Sequence, residues 1–466
     1  MEESLIQSIL EEMQNLYLQD SRPWIIGLSG GKDSTCVTQL IYNMLKNLPP
    51  EKRIKEVFVV SSDTLVDTPI ADNRRKKLCL LISEQAKKDG LPIKVRIIRP
   101  ELGETFWINL IGRGYPSPNR WFRWCTDRLK IRPINKFTLE QIKENGEVII
   151  VLGVRKSESQ NRERTIKKYE IKNSKLSLHN EIAGAFVYAP IAEWLETEVW
   201  EYILSHPSPW GDDNKFLLQC YCKGEDDIEF IIDTKGKAGG SSRLGCWVCT
   251  VVPKDRSIEA YIEEGQKWLI PLKEFRDYLH EIRDVPLKRF EFRKDEKRAK
   301  IYADLLGKNF EGLVRFGHKV YGPFTFQTRH ELFIRLLKLQ TEPSELKEKL
   351  SEFGVVLISP EEVEAIIKLW IYEGDDLAEI DSVLQKCGAG TAFLQHLLNK
   401  ENGKYKHKMD DICQSNNISP DLIDKLLIIE KDFSSLSKRH GIFNKLEHII
   451  ENYALERMII SGRKEK

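Results

Sequence analysis

The sequence predicts an α/β protein: a parallel sheet covered by helices on both faces, then a cysteine-rich stretch and a helical C-terminal domain. Three observations predict it. Short apolar, β-branched runs recur at WIIGL (24–28), EVFVV (56–60), KVRII (94–98) and EVIIVLGV (147–154). Helix-like spacing fills the intervals over 35–45, 71–88 and 133–145. From Phe326 onward the apolar residues follow a helical repeat, as in RHELFIRLLKLQ, where Leu332, Leu336 and Leu339 share a face. Strands alternating with helices pair in parallel and are buried on both sides. Ligands of such sheets sit beyond the C-terminal strand ends, where the connecting loops gather.

The chain has 466 residues, 41% apolar and 31% charged, with a formal net charge of +1. This describes a globular protein long enough for two or three domains. A near-neutral total neither requires nor excludes a polyanion partner, because a basic patch can be balanced elsewhere. No apolar run approaches the roughly 20 residues needed to span a bilayer, and the N-terminus is acidic and helix-like, so a cytoplasmic protein is expected. The expected divisions are 1–210 for the sheet domain, with a basic arm at 157–182, then 211–325 for the cysteine region and a basic linker, and 326–466 for the helical domain.

The first strand runs into SGGKDS (29–34). Gly30 and Gly31 let backbone N–H groups converge without interference from a Cβ, and the N-terminus of the following helix favours an anion. Lys32 adds a mobile positive charge, Ser29 and Ser34 offer hydroxyls, and Asp33 orients neighbours or holds magnesium through water. The loop is therefore read as a phosphate cradle, distinct from the longer GxxxxGK[ST] loop. Asp63 follows the second strand and is expected to accept from a ribose hydroxyl or hold a metal-bound water. Gly153 and Arg155 follow the fourth strand, where Arg155 can neutralise charge that shifts during substitution at phosphorus. Arg128 and Lys130 are candidates for the same task.

Nine cysteines are too few for a disulfide scaffold, yet several cluster. Cys220 and Cys222 form CxC, and Cys246 and Cys249 form CxxC. Two such pairs can converge on one metal, and spacing alone leaves zinc and iron–sulfur open. Cys36 and Cys79 are read as core residues, and Cys387 and Cys413 lack partner spacing. The arm carries Arg162, Arg164, Lys167, Lys168, Lys172 and Lys175, and RWFRW (120–124) offers rings for stacking against bases. A second basic stretch, PLKRFEFRKDEKRAKIY, occupies 286–302.

Together SGGKDS, SSDTLVDTP (61–69), RWCTDRLKIRP (123–133), GVRKSES (153–159) and YAPIAEWLETEVWEYI (188–203) resemble, in order, the PP-loop family of ATP pyrophosphatases, in the branch related to phosphoadenylylsulfate reductases. The resemblance implies an adenine nucleotide α-hydrolase-like fold, ATP and Mg2+ as cofactors, and cleavage between the α and β phosphates. In related adenylylsulfate reductases a tandem cysteine pair and a later CxxC hold a [4Fe–4S] cluster. Here Cys125 matches the first of the tandem pair and Thr126 replaces the second. Of the five candidates this leaves, the implied cluster ligands are Cys220, Cys222, Cys246 and Cys249, with Cys125 left to relay sulfur as a low-pKa thiolate beside arginine or lysine, or in place of Cys220 or Cys222 as the alternative. The long insertion and helical C-terminal half are similar to the DndC and SspD families of bacterial DNA phosphorothioation systems, which act in antiphage restriction–modification. That similarity implies DNA as substrate, a cysteine desulfurase as sulfur donor, and other subunits of a phosphorothioation complex as partners. A sulfonucleotide reductase, a tRNA thiolation enzyme and a non-catalytic nucleic-acid-binding scaffold are the competing readings.

Overall fold

A computed structural model of the chain describes residues 3–158, 174–214, 245–290 and 321–386, with isolated positions at 164, 168, 169, 171, 217, 422, 426, 446 and 449. The chain groups into a compact unit of residues 1–380 and a second of residues 381–466. The sheet and the site lie in the first.

Six strands form one sheet: β1 (Trp24–Gly27), β2 (Val57–Ser62), β3 (Ile93–Ile98), β4 (Val148–Val151), β5 (Leu176–Leu178) and β6 (Ala185–Tyr188), in the order β3-β2-β1-β4-β6-β5. All neighbours pair in parallel except β5 with β6, which is antiparallel. Trp24 aligns with Val57 on one side and with Ile149 on the other. Hence Ser29, Asp63 and Gly153 all leave the same edge, and β1 with its neighbours β2 and β4 forms the switch point where such sheets bind ligands.

The strand residues alternate between two cores. Trp24, Ile26, Val57, Val59, Ile149 and Val151 face one, shared with helices α1 (Glu3–Leu18), α2 (Lys32–Asn47), α3 (Pro69–Lys88) and α5 (Glu196–Ser205). Ile25, Phe58, Val60, Val148 and Ile150 face the other, closed by Phe137 and Ile142 of α4 (Arg132–Asn145). Because both faces are covered, β1 and β4 read as continuous apolar runs. Edge strand β3 alternates partly buried and exposed residues, as a strand with one open face does. The four long strand runs expected from sequence are present; β5 lies within the arm expected to be a basic loop, and its three residues are too few to carry a recognisable alternation.

Beyond the sheet come α6 (Arg256–Glu263), α7 (Ile270–Ile282), α8 (Phe326–Thr341), α9 (Glu345–Glu352) and α10 (Pro360–Glu373). α10 closes on residues 107–112: Trp370 Nε1 donates to Ile111 O at 3.0 Å, and a Cβ on Gly112 would meet Leu369 at 2.9 Å. Arg329 of α8 is fully buried, donating to Gly112 O at 3.1 Å and pairing with Glu373 at 2.7 Å. The helical residues 326–373 thus cover the flank of the sheet domain. Of the expected helical domain at 326–466, residues 387–466 lie outside the described residues, apart from isolated positions. Among the described residues no helix is long and apolar enough to cross a membrane.

Candidate active site

The loop 29–34 ties itself into a fixed turn. Ser34 Oγ donates to Gly31 O at 3.0 Å and accepts from Ser29 N at 3.2 Å, and the Ser29 and Ser34 hydroxyls meet at 3.0 Å. Gly30 has φ +80°, a conformation that disfavours a side chain, whereas Gly31 is extended and caps α2 without a side-chain bond. The N-terminus of α2 thus opens at the loop without a side-chain cap, and an anion suits that end of a helix.

β4 approaches this loop so closely that only glycine fits at position 153, where a Cβ would lie 2.6 Å from Asp33 O and 2.8 Å from Ser34 N. Two residues later Arg155, with a side chain 4% exposed, donates Nε to Asp33 Oδ1 at 2.6 Å and Nη1 to Ser157 Oγ at 3.1 Å. Lys32 Nζ lies 3.3 Å from Asp33 Oδ2 and 3.2 Å from Glu196 Oε1. Lys32, Asp33, Arg155 and Glu196 thus form one charged network beside the loop.

On the β2 side of the loop opens a cavity of about 260 Å³, lined by Gly27 to Gly30, Thr35, Thr64, Asp67, Arg75 and Lys130 among others. Two buried polar groups face it without hydrogen-bond partners: Thr35 Oγ1, and Nε and Nη1 of Arg75. Such groups are costly unless a ligand or water completes them. The remaining Arg75 nitrogen sits 3.0 Å from Asp63 and also binds Asp72. Asp63 is further engaged by Arg99 at 2.9 Å and by Leu65 N at 3.1 Å.

A second cavity, also about 260 Å³, adjoins the first and shares Lys130 and Gly245 with it. Cys125, Cys246 and Cys249 all line it. The CxxC segment reaches this place by pairing with the segment after β2. Asp67 and Cys246 form an antiparallel bridge, Trp247 N donates to Val66 O at 3.0 Å, and Thr68 N donates to Gly245 O at 3.1 Å. Side chains repeat the link: Cys246 Sγ donates to Asp67 Oδ1 at 3.4 Å, and Thr64 Oγ1 donates to the same oxygen at 2.8 Å. Leu65, between them, has φ +63°, a conformation uncommon for a branched side chain.

Burial, then the nearby Asp67 carboxylate, pushes the Cys246 thiol up, and burial followed by Cys249 does the same to Cys125. The expectation of a low-pKa Cys125 thiolate is therefore not met: Arg123 favours the thiolate, but desolvation outweighs it. Lys130 is raised, chiefly by the Cys246 thiolate, with Asp67, Cys125 and Cys249 adding to it.

Residues 23–252 match the phosphoadenosine phosphosulfate reductase domain family. The match spans slightly less than half of the chain's 466 residues. A relative, the uncharacterized protein MJ0066 of Methanocaldococcus jannaschii, is 25% identical over 57% of this chain and 44% of its own length. Among solved structures, the phosphoadenylyl-sulfate reductase of Candida auris is 14% identical, covering 48% of this chain and 94% of its own, with a TM-score of 0.27. The U34-tRNA thiolase NcsA of Methanococcus maripaludis, solved with its [4Fe-4S] cluster, is 16% identical, covering 50% and 76%, with a TM-score of 0.28. Both likenesses are too slight to carry a substrate or cofactor across.

Within residues 23–252, the structure gathers Ser29, Gly30, Gly31, Lys32, Asp33, Ser34, Gly153 and Arg155 around one loop. Asp63 stands apart from the first cavity, tied to Arg75 and Arg99. Cys125 joins Cys246 and Cys249, while Cys220 and Cys222 lie outside the described residues. Among the described residues no three His, Cys, Asp or Glu side chains close to metal-holding distances. Soft thiols lining one cavity are nevertheless the donor type an iron–sulfur cluster takes. Sequence reasoning missed Thr35, Thr64, Asp67 and Arg75. The first three read as ordinary polar residues, and NRRKK (73–77) reads as a solvated helix face.

Proposed function

We propose that this domain uses ATP to activate a phosphate oxygen of DNA and replaces that oxygen with sulfur, producing a phosphorothioate backbone. The observation that carries the reading is the union of phosphate cradle and thiol cavity through Lys130, Gly245 and the Asp67–Cys246 bridge. Nucleotide chemistry and sulfur chemistry would then share one site.

In this reading the adenosine occupies the first cavity, where Thr35 Oγ1 and Arg75 Nη1 lack hydrogen-bond partners, and the phosphates lie over Gly30 and Gly31. A non-bridging oxygen of the DNA phosphate attacks the α-phosphorus, the bond to the bridging oxygen breaks, and pyrophosphate leaves with the electron pair. Lys32, Arg155 and the loop N–H groups offset the charge that builds there, and Mg2+ bound with ATP would lie near Asp33. A persulfide on Cys125, loaded by a cysteine desulfurase and cut by a thiol reductant, releases hydrosulfide. Its sulfur attacks the adenylated DNA phosphorus, and AMP departs with the former DNA oxygen, so the exchange itself is redox-neutral.

Cys246 and Cys249 would hold a [4Fe–4S] cluster together with Cys220 and Cys222, or with Cys125 replacing one of that pair. A bound cluster would supply electrons.

A second reading, favoured by the family match of residues 23–252, is a sulfonucleotide reductase, in which the cradle holds an adenylylated sulfate and a thiol releases sulfite. One experiment separates the two. Anaerobically purified protein is supplied with ATP, Mg2+, cysteine, a desulfurase, its companion subunits and DNA, and the digested DNA is examined for phosphorothioate-linked dinucleotides by mass spectrometry. Their appearance supports DNA modification. Sulfite released from an adenylylated sulfate, with unmodified DNA, supports the reductase, and thiolated tRNA in a parallel reaction would move the substrate to RNA.

A further inference from the structure

We propose that Trp121 is a stacking platform for an unpaired nucleobase, and that the basic groove beside it carries the attached single-stranded backbone. The choice of nucleic acid as ligand rests on the proposed function above.

The chain has ten tryptophans; nine are buried and Trp121 is 86% exposed. It is held there by design of the local backbone. Asn119 Oδ1 accepts from Trp121 N at 2.8 Å and from Phe122 N at 2.9 Å, and Asn119 N donates to Phe122 O at 3.3 Å. On one side Pro118 O accepts from Thr250 Oγ1 at 2.6 Å. On the other, Trp124 is buried, stacks on Phe106 at 5.2 Å and donates Nε1 to Pro116 O at 3.0 Å. A tight turn pinned at both ends thus presents one indole to solvent, with the Arg120 guanidinium 5.2 Å from its ring centre.

Aromatic and cationic side chains continue from this tip. Phe122, 44% exposed, meets Tyr115 at 6.3 Å, and the Arg128 guanidinium lies 5.2 Å from the Tyr115 ring. Arg128 lines a groove of about 540 Å³ along β3 and α4, where five cations exceed three glutamates; Arg128, Arg132 and Lys136 pair with two of those glutamates, and Arg99 pairs with Asp63. In the other direction Arg123 and Cys125 line the thiol cavity. The tip therefore stands between a cationic groove and the thiols. Exposed rings flanked by arginine suit the face of any base, and a cationic groove suits the phosphates that follow it. A closed duplex offers no free base face along its length, so the single strand is the matching ligand.

Trp121 can be followed directly, because it is the sole exposed indole and iodide quenches exposed indoles selectively. The full-length, anaerobically purified protein is titrated with an oligo-dT of roughly 12 nucleotides, within the usual site range for such surfaces. The expected result is loss of the iodide-quenchable fluorescence on binding. Trp121→Ala should weaken oligo-dT binding about tenfold, as removal of one base–aromatic stack does, and Trp121→Phe by much less. Thermal melts of both variants establish that each is folded. Unchanged oligo-dT affinity in Trp121→Ala overturns the proposal. So does equal protection of Trp121 by blunt duplex, or protection that follows protein concentration alone and reports self-association. Oligo-dT binding through Trp121 by a protein that forms no phosphorothioate would remove the sulfur reading and leave the platform standing.

Discussion

The phosphate cradle and the thiol cavity lie side by side, yet they are built in different ways. The loop read as a cradle is local: Ser29, Gly31 and Ser34 bond among themselves, Lys32 pairs with Asp33, and the end of β4 contributes Gly153 and Arg155 by lying next to β1. The thiol cavity is assembled from three remote segments. Its central link, Cys246 to Asp67, joins residues 179 apart, largely through backbone pairing. A cradle of the first kind is rigid because neighbouring residues determine it. A cavity of the second kind depends on the segment after β2, which also lines the first cavity. The loop is thereby fixed by the sheet, while thiol placement is fixed by a strut leaning on it.

That contrast can be broken most sharply at Asp33. Asp33→Ala removes a carboxylate from a guanidinium that is 4% exposed, and losing one partner of a buried pair costs about 3–5 kcal/mol. Urea denaturation should show a loss of this order, whereas a loss below about 1 kcal/mol would mean the pair is effectively solvated. Next comes Lys32→Ala, expected to slow pyrophosphate release by about 10²–10³-fold with the fold intact, as removal of one charge-stabilising donor does. Gly153→Ala forces a Cβ against the backbone of Asp33 and Ser34. It should cost about 1–3 kcal/mol by overpacking and weaken ATP binding in calorimetry. The smallest effect belongs to the strut. Thr64→Val deletes the 2.8 Å bond to Asp67 and should lower stability by about 1 kcal/mol. No change there would show that the backbone bridge holds the CxxC segment without its side chains.

The same contrast explains what could be read from the sequence. The main strands were legible because parallel strands covered on both faces must be apolar throughout, and the turn at 29–34 was legible because its residues are contiguous. Arg155 could be found because strand order brings the end of β4 to that of β1. The meeting of Cys125 with Cys246 and Cys249 was not legible, since the pairing of residues 66–68 with 245–247 runs through backbone groups that every residue carries. Arg75 was hidden for a related reason: a cation in a charged helix looks solvated until three aspartates are seen around it. Within RWFRW, Trp121 and Trp124 have like neighbours in sequence, yet one is exposed and the other buried. The turn at Asn119 decides which is which.

The account depends most on where ATP is cut. The protein, with its companion subunits and DNA, is incubated with ATP labelled separately at the α and γ phosphates, and the products are resolved by chromatography. The account predicts α label in AMP or in an adenylated intermediate, γ label in pyrophosphate, and loss of both signals in Lys32→Ala. Label appearing as ADP and inorganic phosphate would contradict it.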